Sequence, residues 1–404
     1  MRILSFLLVL ITFSWCTTPV KEEVLTDDQL RELSVELAHR FIIADGHVDI
    51  PYRLRENMED ISVRTEKGDF DYVRAKEGGL DAPFMSIYIP SEYQRTGGSK
   101  ALADSLIDMV EGLVAKDRDK FALAFSPDMV TKNFENELIS LPMGMENGAP
   151  VESNLDNLKH FFDRGIRYIT LTHARDNEIC DSSYDSTRTW NGLSPFGRDV
   201  VTEMNRLGIM VDISHVSDSA FYQVMQITKA PVIASHSSCR AFTPGFERNM
   251  TDDMIKKLGE NGGAILINFG STFLDSVSVR KGRENQLHFE MWLAENGLNE
   301  TDSLAQMYIT DYNASHPAYS DVSVVADHID HAVNLAGIDH VGLGSDFDGV
   351  GDSLPVGLKD VSMYPNLIFE LLKRGYSEED IEKICSGNFL RVWKEVENVS
   401  RDMR

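Results

Sequence analysis

Short apolar runs alternate with amphipathic stretches along this chain. That alternation predicts parallel strands joined by crossover helices. Eight runs stand out: Phe41–Ala44, Phe84–Ile89, Leu138–Met143, Tyr168–Leu171, Ile209–Ile213, Val232–Ala234, Ala264–Phe269 and His340–Leu343. A further run, Phe121–Phe125, competes with Leu138–Met143 for the third place. Eight strands with helices between them predict an α/β fold closed into a (β/α)8 TIM-like barrel rather than an open sheet.

The connecting segments carry helix signals. Thr26 to Gln29 has the form of a capping box ahead of the first amphipathic helix. Leu102, Leu106, Val110, Leu113 and Val114 recur at helical spacing, as do Leu155, Leu158 and Phe162. Ser194-Pro195 supplies an N-cap followed by proline at the first helical position, and Val200, Val201, Met204 and Leu207 then share a face. Thr251 caps a helix carrying Met254, Ile255 and Leu258. The stretch from Gly270 to about Asp321 is too long for a simple barrel connection. It is expected as an insertion at 271–321, at one rim between the seventh and eighth strands. There it would form a lid, a homodimer contact or plain surface.

The N-terminus changes the picture of where the chain goes. Arg2 precedes the apolar run Ile3 to Phe13, which is too short to span a bilayer and fits a signal-peptide core. Cys16 stands where a bacterial lipoprotein carries its lipid anchor, although Trp15 before it is bulkier than such sites prefer. The expectation is a signal segment over 1–16, a linker over 17–25 and one barrel domain over 26–404, in a protein exported to the cell envelope. The other cysteines, Cys180, Cys239 and Cys385, form neither a disulfide framework nor a C-x-x-C zinc pattern, and read as packed thiols. A formal net charge of −25 argues against a nucleic-acid partner, whose phosphates require clustered Lys and Arg.

Chemistry collects where the strands end, which is where barrel active sites lie. Strand one runs into His47 and Asp49, two residues apart and so on one side of extended backbone. Strand three ends at Glu146, strand four at His173, strand five at His215, strand six at His236 and strand eight at Asp346, with Asp348 close behind. Four of the 11 histidines fall at these ends. Gathering so much charge at one buried mouth is costly without a counter-charge, and divalent cations supply one. Imidazole and carboxylate ligands without thiolate suit Zn2+, with Mn2+, Fe2+ or Co2+ as alternatives.

These same segments carry a resemblance. DGHVD, MENG, LTHARDN, GLSPFGRDVV, VDISHVSD, ASHSSCRAF, RNMTDDM, GIDHVGLGSDFDGV and GNFLRVW, in this order, resemble the membrane (renal-type) dipeptidase family of metal-dependent barrel hydrolases. The resemblance covers nearly everything after about residue 26. It implies two Zn2+ per chain, with His47 and Asp49 on one, His215 and His236 on the other, and Glu146 bridging. It implies that Asp346 is the acid/base group while metal-activated water attacks the peptide carbon. His173 would contact the substrate and the developing oxyanion, and Arg248 would bind the free C-terminal carboxylate of a dipeptide. Tolerance of a D-residue on that side follows from the same resemblance. One departure stands out: many members carry tyrosine after the Asn-Phe that ends strand seven, whereas Asn268-Phe269 is followed here by Gly270. Two rivals stay open at this point. One is a barrel hydrolase of lactones or cyclic amides, although such enzymes tend to use H-x-H and a modified lysine. The other is a binding protein without turnover.

Overall fold

The computed structural model describes residues 25–404; the signal segment and Cys16 lie outside the described residues. Eight parallel strands close into a barrel: β1 (Ile43–Val48), β2 (Leu80–Tyr88), β5 (Met143–Glu146), β6 (Ile166–Thr170), β7 (Met210–Asp212), β8 (Ile233–Ser237), β9 (Ala264–Ile267) and β10 (Val341–Leu343). They follow one another around the barrel in chain order, and β10 closes it by pairing Leu343 with Asp45 of β1. Every barrel strand is buried almost throughout, which is why the strands read as short apolar runs instead of alternating ones.

The third strand lies elsewhere than expected. The competing runs both form strands, β3 (Phe121–Leu123) and β4 (Ile139–Leu141), but they pair with each other in a separate two-stranded parallel sheet. The barrel strand is the next segment, β5, beyond Pro142. Proline lacks the N–H that a continuous ladder needs, so the apolar stretch breaks there into two strands of different sheets.

The expected helices are present. Thr26 and Gln29 form the reciprocal capping box ahead of the helix Asp27–Arg40. Ser194 and Thr251 cap the helices Pro195–Leu207 and Asp252–Glu260 through their side chains. Between β9 and β10 the chain forms the helices Ser276–Asn296 and Ser303–Ser315.

An aromatic column fills the barrel. Trp393 and Phe389 of the last helix, Asn388–Asp402, enter from below and meet Phe84 of β2, with ring centroids 5.3 and 4.7 Å apart. Phe84 stacks on Tyr168 of β6 at 5.7 Å, and both are fully buried. A buried side chain of this size contributes about 1.5–3 kcal/mol. The Tyr168 hydroxyl then reaches the Nδ1 atom of His47 at 2.8 Å, so the packed core ends directly under the barrel mouth.

Candidate metal centre

The strand ends place one imidazole or carboxylate after another around a single point. His47 lies on β1, and Asp49 directly precedes the next helix, Ile50–Glu56, without capping it. Glu146 ends β5, His173 follows β6, His215 follows β7 and His236 lies on β8. Asp346 follows β10. Three mutually close groups emerge: His47, Glu146 and His236; Glu146, His173 and His215; and His47, Asp49 and Asp346.

Glu146 is the hub. Its Oε1 lies 3.0 Å from Nε2 of His215, 3.3 Å from Nε2 of His236 and 3.7 Å from Nε2 of His173. Its Oε2 lies 3.5 Å from Nε2 of His47, which is also 3.5 Å from Oδ2 of Asp49. Burial alone would raise the Glu146 carboxyl, but the neighbouring His173 and His47 and the hydrogen bonds of His215 and His236 hold it well below its usual value. Burial holds the His215 and His236 imidazoles well below theirs, so both are neutral near pH 7 with a lone pair to give.

The donor set fits divalent cations. The Nε2 atom of His47 and the Oδ1 atom of Asp49 are buried without hydrogen-bond partners. The Nε2 atoms of His215 and His236 lie 2.9 Å from each other, and both face the same Glu146 oxygen. Imidazoles and carboxylates left unsatisfied in a dry mouth are costly unless a cation joins them.

The groups behind the ligands fix their orientation. His236 Nδ1 meets Ser235 Oγ at 2.8 Å, and that hydroxyl donates to Oδ2 of Asp212 at 2.6 Å. Asp212 Oδ1 accepts the backbone N–H groups of Ser214 and Ser235. With the seryl proton on Asp212, Nδ1–H of His236 donates to Ser235 and Nε2 keeps its lone pair for the centre. Asp45 plays the matching part on the other side: its Oδ1 accepts from the backbone of His47 and Ser345, and its Oδ2 from Tyr364. Sequence reasoning missed Asp45, Asp212 and Tyr168. A signal was available, because a carboxylate inside a fully buried strand needs a reason to be there.

Asp346 stands apart from Asp348. Asp346 adopts a left-handed φ of 64°, and its Oδ2 accepts from Nδ2 of Asn268 at 2.8 Å. Burial, with Asp49 beside it, pushes its carboxyl up to about 7. Asp348 shares the left-handed backbone (φ 66°) and a carboxyl pushed up to about 7 by burial, but its Oδ1 accepts the backbone N–H of Asp69, its own N–H donates to Asp69 Oδ2, and it faces Arg53. His215 shares the left-handed conformation at φ 68°, as does Asn147 after Glu146 at φ 80°. Such residues cost about 1–3 kcal/mol each and collect where function holds them.

The mouth opens into a cavity of about 1190 Å3 lined by Asp49, Glu146, His173, His215 and Asp346 together with Tyr52, Tyr88, Tyr184 and Phe273. Arg248 lies just outside that lining. It is buried, donates through Nη1 to Ser237 Oγ (2.7 Å) and through Nη2 to the His236 carbonyl (2.8 Å), and leaves Nε without a partner. Cys239 is a packed thiol whose Sγ donates to the His328 carbonyl at 3.5 Å.

The backbone of Gly349 closes over the centre. A Cβ there would run into Asp49 Oδ2 and Asp346 Oδ1. Gly349→Ala is therefore expected to displace both carboxylates and cut kcat/KM about a hundredfold, with little change in Tm. An unchanged rate would show that neither carboxylate needs its present position.

A family model described as "Membrane dipeptidase (Peptidase family M19)" matches residues 31–404. The chain belongs to the membrane dipeptidase family. It is thus a metallo-dipeptidase, a hydrolase on the (β/α)8 barrel described above. An uncharacterized dipeptidase of Schizosaccharomyces pombe is 33% identical over 389 residues, covering 92% of this chain and 85% of that protein. Dipeptidase 3 of Mus musculus is 31% identical over 383 residues, covering 93% and 68%. Among solved structures, the probable dipeptidase PvdM from Pseudomonas aeruginosa superposes with a TM-score of 0.77 at 26% identity, covering 92% of this chain and 99% of that one. A metallo peptidase from Rhodobacter sphaeroides, liganded with a phosphinate mimic of the dipeptide L-Ala-D-Ala, has a TM-score of 0.72 at 25% identity, covering 88% and 99%. The membrane dipeptidase family therefore accounts for the buried His/Glu/Asp cluster at the mouth as its metal-binding centre.

Proposed function

We propose that this chain hydrolyses the single peptide bond of dipeptides with a pair of Zn2+ ions and accepts a D-residue at the C-terminal position. His47 and Asp49 would hold one ion, His215 and His236 the other, and Glu146 both. The observation carrying this reading is Glu146, whose two oxygens face His47 on one side and His215 and His236 on the other. When bound, the cation pair lowers the pKa of water and polarises a carbonyl oxygen.

The chain's own residues supply the rest. Asn268 engages Oδ2 of Asp346 and leaves Oδ1 to take a proton and return it to the leaving amine. Burial lowers the His173 imidazole, so it is neutral and can donate a hydrogen bond to the oxygen that gains charge. Arg248 is held by Ser237 and His236 with Nε–H unengaged, a planar fork suited to a substrate carboxylate. The L-Ala-D-Ala mimic on the Rhodobacter sphaeroides relative supports a D-residue on that side. The apolar run behind Arg2 supports export, and among the described residues no helix is long and apolar enough to cross a membrane.

Metal analysis of the purified protein coupled to a substrate panel tests the reading. The expected result is two equivalents of zinc and turnover of Gly-D-Ala and Gly-Leu, lost on chelation and restored by Zn2+. C-terminally amidated dipeptides should be at least about tenfold poorer, since the Arg248 contact is charge-assisted. Cleavage of lactones or hydantoins with no dipeptide turnover would overturn it.

A further inference from the structure

Gly270 follows Asn268-Phe269 just beyond the end of β9, and the structure shows what occupies the room beside it. A Cβ on Gly270 would meet Cδ2 of Phe273 at 2.9 Å and Cγ1 of Val350 at 3.0 Å. A side chain at 270 and the ring of Phe273 therefore compete for one space. Phe273 belongs to the short helix Ser271–Leu274, whose Phe273 carbonyl accepts from Nδ2 of Asn249 at 2.7 Å. Asn249 adjoins Arg248, so the helix and the arginine are tied to one loop.

The Phe273 ring faces two ways. Its centroid is 5.4 Å from Cζ of Arg248, and Phe273 lines the cavity while Arg248 does not. On the other side an aromatic series runs toward the metal centre. Phe273 meets Phe246 edge-on at 5.7 Å, Phe246 meets Tyr184 at 6.1 Å, and Tyr184 lies 5.9 Å from His215. Tyr184 and Phe273 both face the cavity. A dipeptide with its carboxylate on Arg248 and its peptide carbonyl at Glu146 and His215 would lay its C-terminal residue along this wall.

We propose that Phe273, standing in the space left by Gly270, is the specificity-determining residue for the C-terminal side chain and selects dipeptides with an apolar C-terminal residue. The inference rests on the dipeptidase reading above. Phe273 and Tyr184 offer that side chain aromatic carbon and no charge of their own, so an aliphatic or aromatic group is desolvated there. Phe273 also packs against the Arg248 guanidinium, a contribution shared by every dipeptide whatever its side chain.

The readout is the ratio of kcat/KM for Gly-Leu, in the hand the wild type prefers, to that for Gly-Gly; the shared contribution through Arg248 cancels in this ratio. Phe273→Ala is expected to lower the ratio about tenfold or more, and Phe273→Leu to retain most of it, because a few apolar carbons in a pocket discriminate on that scale. Gly270→Tyr alone should lower Tm through collision with Phe273, and Gly270→Tyr combined with Phe273→Ala should recover most of that loss. A ratio unchanged within twofold in Phe273→Ala, with both dipeptides still cleaved, overturns the inference and leaves the dipeptidase reading standing. If wild-type protein cleaves no dipeptide, it is the reading beneath that fails. If the double variant is no more stable than Gly270→Tyr, the shared-space argument is wrong.

Discussion

Asp346→Asn is expected to lower kcat by about a hundred- to ten-thousand-fold while leaving Tm and bound metal close to wild type. The substitution keeps size and shape. Asparagine tolerates the left-handed backbone that residue 346 adopts, and its side-chain oxygen can still accept from Asn268. The backbone bonds of residue 346, from its N–H to the His47 carbonyl and to its carbonyl from the N–H of Gly349, do not depend on the side chain. What disappears is the carboxyl oxygen proposed to exchange a proton. Steady-state kinetics, thermal unfolding and metal analysis on one preparation check the result together. A rate near wild type would remove Asp346 from the mechanism, and Asp348, engaged with Asp69 and facing Arg53, offers no substitute.

Glu146→Gln is expected to weaken cation binding about a hundred- to a thousandfold, the scale on which loss of one partner from a buried charged group operates. Glutamine fills the same volume, and the neighbours of Glu146 in β2 and β6 are held by backbone pairing. The change is therefore one of charge at the point where His47, His173, His215 and His236 meet. After dialysis the variant should carry at most one equivalent of metal and lose activity, with partial recovery in excess Zn2+. Two tightly held equivalents with wild-type turnover would show that this carboxylate does not join the two ions. The contrast with Asp346→Asn is the informative part: one variant loses the proton carrier and keeps the metal, the other loses the metal.

Much of this was legible in order along the chain, for identifiable reasons. A barrel strand is buried on both faces, so each of the eight strands had to be a short apolar run, and each ionisable group at a strand's end broke that run visibly. His47, Asp49, Glu146, His173, His215, His236 and Asp346 could be selected on that ground, and the helix caps at Thr26, Ser194 and Thr251 on the ground of local hydrogen bonding. The third strand differs from expectation because the apolar stretch Leu138–Met143 straddles Pro142: Ile139–Leu141 pairs with β3, and the barrel strand starts only at Met143.

What depended on the sequence alone was the set of local conformational preferences and the periodic placement of charge against apolar background, since both follow from residues within a turn or a strand of one another. What the tertiary structure decided was who stands behind whom. Asp212 reaches His236 through Ser235, Tyr168 supports His47 from 121 positions away, Asp346 turns to the centre while Asp348 turns to Arg53, and Phe273 fills the space over Arg248. Those pairings join strands and loops remote in the chain. Their geometry is set by closure of the barrel and the packing of its mouth, which no local preference encodes.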